Sequence, residues 1–127
     1  MVSFDTLKLG DGLPIYTQII LHIKREIVAG NIRDGDELPS RRVLSSLLGV
    51  NPNTVQKAYR LLEDEALIAS HSGAKSYMVL NEETVRKVRT DLMENDARFI
   101  ISAMKQMGIS KQELLKLIEQ IWEDRIE

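Results

Sequence analysis

At 127 residues, 43% of them hydrophobic and 28% charged, the chain suits one compact domain or a domain with an appended helical piece. The absence of cysteine excludes a disulfide framework and a cysteine-based zinc site, and fits a reducing, cytoplasmic setting. A net charge of −2 argues against indiscriminate nucleic-acid binding, and apolar runs of only a few residues give no membrane span.

In chain order, the opening "MVSFDTLKLGDG" lacks a basic segment followed by an apolar run, so no signal peptide is expected and the stretch is read as a short arm. Pro14 starts a helix whose apolar residues Ile15, Ile19, Ile23 and Ile27, joined by Tyr16, Ile20 and Val28, make one stripe ending at Gly30. His22 lies on this helix and is read as structural. With His71 as the only other histidine and no cysteine, no metal site is expected. "NIRDGDELPS" reads as a loop, after which Ser40 caps a second helix.

Residues 41–60 carry the sharpest pattern. Leu44, Leu48, Val50, Val55 and Ala58 are apolar, Ser45 is small, and Gly49 stands between Leu48 and Val50. Two short helices that cross steeply need apolar contacts at these points, a small residue at their closest approach and glycine in the turn. Asn51 is placed to cap the second of them and Pro52 to begin it. At about 100° per residue, Val55, Ala58, Tyr59 and Leu62 share one side. Asn53, Lys57 and Arg60 point the other way, with Gln56 on the flank. No acidic residue falls between Leu38 and Leu62, whereas Arg41, Arg42, Lys57 and Arg60 all do. Asp34, Asp36 and Glu37 precede this window, and Glu63, Asp64 and Glu65 follow it. On charge alone an ordinary fluctuation explains the window as well as a phosphate-binding patch does. The amides at the helix start and the cations along it suit base edges and phosphates.

"LIAS" (67–70) and "SYMVL" (76–80) flank "HSGAK" as a hairpin with Gly73 in its turn and His71 and Lys75 near its tip. His71 serves equally well as a plain exposed turn residue. Asn81 caps a helix that opens with Glu82 and Glu83 and runs to Met107 before Gly108. Arg86, Lys87 and Arg89 are read mainly as its solvated face. The last helix has a capping box, Ser110 with Glu113, and a staple of Ile109 onto Leu114. The apolar arcs of these two helices are wider than one neighbour covers, and Asp96 falls inside the first of them. A second chain is the expected cover, with Leu92, Phe99, Ala103, Leu114, Ile118 and Trp122 at the interface.

The start "PIYTQI", the entry "GDELPSRR" and the helix "VNPNTVQKAY" together strongly resemble the GntR family of bacterial transcription regulators over roughly residues 10–80. The brief two-helix tail looks like the YtrA subfamily. The resemblance implies a mainly α (α+β) chain: a winged helix-turn-helix over residues 1–80, then a C-terminal two-helix dimerisation hairpin over 81–127. It implies a homodimer that represses at a double-stranded operator, commonly near transporter genes. Arg42, Asn51, Asn53, Thr54 and Gln56 match the family's DNA-contact positions, and Gly73 matches the wing glycine. Arg41, Lys57, Arg60, His71 and Lys75 complete the candidate set from charge and placement, with Arg60 open to an alternative pairing with Asp64 four residues on. Ala66 stands where the family often has glycine, and the wing is poor in glycine. No cofactor is implied, and any small-molecule effector stays open. The competing reading is a winged-helix module that binds protein and not DNA. An enzyme is disfavoured, because no glycine-rich phosphate loop or nucleophile set appears.

Overall fold

The isoleucine stripe of the first helix becomes the centre of the core. In the computed structural model, which describes residues 1–71 and 75–124, helix α1 (Ile15–Val28) buries Ile19, His22, Ile23 and Ile27. It packs on α3 (Pro52–Asp64), which in turn packs on α2 (Arg41–Leu48). The caps are those expected. Ser40 Oγ accepts from Val43 N (3.1 Å) and Asn51 Oδ1 from Asn53 N (2.8 Å). Gly49 turns the chain between α2 and α3 at φ 67°, where L side chains are strained, and Ser45 Oγ donates to the Val50 carbonyl across the turn.

Three antiparallel strands close the wing in the order β1–β3–β2: β1 (Glu37–Leu38), β2 (Ile68–Ser70) and β3 (Ser76–Met78). Leu38 faces Ser76, and Ser70 faces Ser76 from the other side. Strand β1 corrects the reading of "NIRDGDELPS" as wholly loop. Gly35 (φ 84°) and Asp36 exchange backbone bonds with Met78 on β3, each 2.8 Å. Two paired residues are too few to show the alternation by which a strand is recognised. Gly73, expected in the wing turn, lies outside the described residues.

The opening arm is part of the fold. Val2 and Phe4 are buried, and Val2 N donates to the Glu37 carbonyl (2.8 Å). The ring of His22 stacks on Phe4 with centroids 5.1 Å apart, and its Nε2 lies 2.9 Å from the Ser3 carbonyl. This is a structural use of the histidine.

Helix α3 ends in a Schellman motif, in which Leu67 N bonds to the Leu62 carbonyl and Ala66 N to the Glu63 carbonyl. The left-handed position falls on Ala66, at φ 60°, the one non-glycine residue with positive φ among those described. An L side chain there costs about 1–2 kcal/mol, whereas glycine loses about 0.5–1 kcal/mol of extra chain entropy. Ala66→Gly is therefore expected to stabilise the protein by about 0.5–1 kcal/mol, seen as a raised melting temperature with no change in fold. A lower melting temperature would contradict this account of the motif.

The chain divides into two compact units, residues 1–90 and 91–127. The division falls inside α4 (Glu82–Gln106), ten residues beyond the junction expected at 80/81. The opening turns of α4 belong to the first unit for a physical reason. Leu80 N donates to Asp34 Oδ1 (2.9 Å), Val88 is buried, and Val85 and Arg86 line an open hollow with Ile32 and Arg33. The second unit holds the rest of α4 and α5 (Lys111–Trp122), joined through Gly108 at φ 75°, with Ser110 Oγ capping Glu113 N (3.1 Å). Met104 of α4 and Met107 just beyond it line an open hollow with Leu117 and Gln120 of α5, and no residue of α5 is buried. Among the described residues no helix is long and apolar enough to cross a membrane.

Candidate nucleic-acid interface

Helix α3 is divided sharply between its two sides. Val55, Ala58, Tyr59 and Leu62 are completely buried, while Asn53, Gln56, Lys57 and Arg60 are exposed and fall on one arc of the opposite side. A helix fixed this way has only its polar arc free for an external partner. Thr54 is half-buried, and its N–H bonds to the Asn51 carbonyl (2.9 Å). The side-chain oxygen of Asn51 is committed to the cap, which leaves its amide NH2 as the outward group.

The cations are not equivalent. Arg42 and Arg60 are exposed and make no ion pair among the described residues, so the alternative pairing of Arg60 with Asp64 is not formed. Lys57 rests its Nζ over the ring of Tyr16, 4.1 Å from the centroid. Arg41 is half-buried and held against its neighbours. Its guanidinium lies 5.2 Å from the Tyr59 ring centroid, and Nη2 is 3.5 Å from Glu63 Oε1. Its Nε is buried without a hydrogen-bond partner in the protein.

Glu63 is the hub of a small polar network. Besides Arg41, it accepts from Ser70 Oγ (2.7 Å), and Ser70 Oγ is 3.1 Å from Ser76 Oγ. The end of α3 is thereby tied to the start of α2 and to both long strands of the wing. Tyr59 donates its hydroxyl to the Pro39 carbonyl (2.7 Å), and burial pushes its phenol well above the usual tyrosine range, so it stays a donor. These roles of Tyr16, Tyr59 and Glu63 escape a reading of the sequence. Tyr16 and Tyr59 sit at core spacing, and Glu63 looks like one member of a solvated acidic run.

Several acidic residues that bracket the cationic window are occupied locally. Glu65 pairs with Lys24 (2.9 Å), Glu37 lies 3.9 Å from Lys75, and Asp34 and Asp36 accept from the backbone N–H groups of Leu80 and Arg33. Each carboxylate serves its own neighbour, and none is drawn onto the polar arc of α3. At the wing, His71 N donates to the Lys75 carbonyl (3.0 Å) and the His71 ring lies 5.2 Å from that of Tyr77. Lys75 remains largely exposed despite Glu37. Strand β2 follows α3 directly and packs on it.

Comparison with known proteins gives this arrangement a family. The model described as "Bacterial regulatory proteins, gntR family" matches residues 15–77, from α1 through the second residue of β3. The HTH-type transcriptional repressor YtrA of Bacillus subtilis (strain 168) is 39% identical over 114 residues, covering 87% of this chain and 83% of that protein. A GntR family transcriptional regulator from Listeria monocytogenes has a similar solved structure, with TM-score 0.79, 33% identity, and 88% of this chain and 98% of that one covered. The DNA-binding domain of AraR, solved in complex with operator ORX1, matches with TM-score 0.51 and 27% identity, over 57% of this chain and 93% of that one. A winged helix-turn-helix with one free polar helix face, in a chain so closely related to a repressor of this kind, belongs to the GntR family of bacterial regulatory proteins.

Proposed function

We propose that this DNA-binding transcription regulator acts as a homodimeric repressor, seating α3 in the major groove of a two-fold symmetric operator. The observation that carries the reading is the division of α3, with one side wholly buried and the other carrying two amides and two cations. Asn53 stands in the first turn of the exposed arc, where recognition helices meet base edges, and its amide suits adenine N6 and N7. Gln56 is the second reader. Arg42, Arg60 and Lys57 hold the phosphates, with Lys75 and His71 of the wing beside them. Arg41 acts from inside, aligning α2 with the end of α3 through Glu63 and Tyr59. The operator complex of the related AraR domain favours DNA over protein as the partner of this face.

A shift assay across salt concentrations tests this division of labour. Each phosphate-binding cation contributes about one unit to the slope of log affinity against log salt, so a substitution carried by both subunits of the dimer should flatten it by about two. Arg42→Ala and Arg60→Ala are expected to do so on every DNA sequence. Arg41→Ala is expected to leave the slope near that of the unmodified protein and to lower the melting temperature. If Arg41→Ala flattens the slope while Arg60→Ala does not, the assignment of these cations is wrong.

The dimer rests on the second unit. Phe99 is 77% and Trp122 80% exposed in the single chain, and Ala103 and Ile118 are exposed with them. A helix of 12 residues with nothing buried is marginal by itself in water. A second copy laid on this face supplies the missing cover, with half-buried Leu114 at its edge. Leu92 contributes little there, since it is only 8% exposed within one chain.

A further inference from the structure

We infer that Tyr16 of α1 is a positioning residue for DNA binding, holding the ammonium of Lys57 at the edge of the reading face. The inference rests on the proposed use of α3 and adds to it a residue from outside the helix-turn-helix. Lys57 follows Asn53 by one helical turn, so the two share the exposed arc, and Lys57 takes the flank nearest α1. There its Nζ sits 4.1 Å from the centre of the Tyr16 ring, within the range of a cation–π contact. Tyr16 is half-buried in the first turn of a helix anchored by Ile19 and Ile23, which are fully buried. The platform is therefore rigid where the lysine stem is not.

A lysine left free loses much rotamer freedom when it meets a phosphate. A lysine already resting on a ring has lost part of it beforehand. The ring face takes up only one side of the ammonium, and the remaining N–H groups can still point toward a phosphate. Tyr16 thus favours binding without carrying charge or touching a base, and its contribution is common to all sequences.

The test is a double-substitution cycle on the full chain, read as affinity for a random-sequence duplex at fixed salt together with melting temperature. Lys57→Met is expected to weaken binding and flatten the salt slope by about one unit per subunit, or about two for the dimer. Tyr16→Leu is expected to weaken binding about two- to fivefold per subunit when Lys57 is present, and to add no further loss in Lys57→Met. Tyr16→Phe, which keeps the ring, should bind within about twofold of the unmodified protein, since the ring face carries the contact. Equal losses from Tyr16→Leu in both backgrounds would make the residue merely structural and overturn the inference. Tighter binding by Tyr16→Leu would show that the ring competes with DNA, and a loss from Tyr16→Phe as large as that from Tyr16→Leu would assign the effect to the hydroxyl; either overturns it. If Lys57→Met binds normally, the placement of Lys57 at the DNA fails together with the inference. That pattern is distinct from a failure of Tyr16 alone.

Discussion

Asn53→Ala is expected to cost about 1–3 kcal/mol for each half-site of the preferred operator and much less on random DNA, with the melting temperature unchanged. The asymmetry follows from position. Asn53 offers only its backbone N–H to the helix cap, and its side chain stands on the exposed arc of α3. Removing the side chain therefore leaves the cap and the buried side intact. A bidentate amide–adenine pair is forfeited only where the operator has adenine at that position. Asn51→Ala gives the contrasting result. Its side-chain oxygen is the cap itself, so the substitution should lower stability by about 0.5–2 kcal/mol and weaken binding to all DNA. Equal losses on operator and random DNA for Asn53→Ala would make Asn53 a positioning contact and pass the reading role to Gln56.

The second large effect concerns assembly. Trp122→Ala or Phe99→Ala is expected to weaken the proposed dimer by about 3–5 kcal/mol, the range for removing a buried aromatic, which is two to three decades or more in dissociation constant. Sedimentation equilibrium checks it. Leu92→Ala serves as the contrast, because a side chain already buried in one chain should cost folding stability before it costs association. A protein ending at Thr90, which retains the turns of α4 that belong with the first unit, should sediment as a monomer at micromolar concentration. If it remains dimeric, the interface lies elsewhere.

Much of this is legible in the sequence because local chemistry and tertiary packing agree. Ser40, Asn51, Asn81 and Ser110 each cap the helix they precede. The period of Val55, Ala58, Tyr59 and Leu62 predicts the buried side of α3 and leaves Asn53, Lys57 and Arg60 outside. What sequence does not reveal depends on neighbours distant along the chain. Strand β1 exists only through its pairing with β3, and the opening arm is ordered by His22 and Glu37, 19 or more residues away. Arg41 and Arg42 are adjacent and chemically identical, yet only the first meets Glu63, 22 residues on. Whether a cation is free is a property of the fold. For the same reason Tyr16, placed by its spacing in a core stripe, supports Lys57 with its ring.

Selection of bound sites from a random DNA pool by the intact protein tests the central claim most directly. In the proposed dimer, each of the two winged helix-turn-helix units should read a half-site. The enriched sequence is then a two-fold symmetric site whose halves lie about one helical turn, or a small multiple of it, apart. Conserved adenine positions in each half should lose their preference when the selection is repeated with Asn53→Ala. Enrichment of a single asymmetric element, or of no sequence at all above the salt-dependent background, would contradict a dimeric reader built on α3.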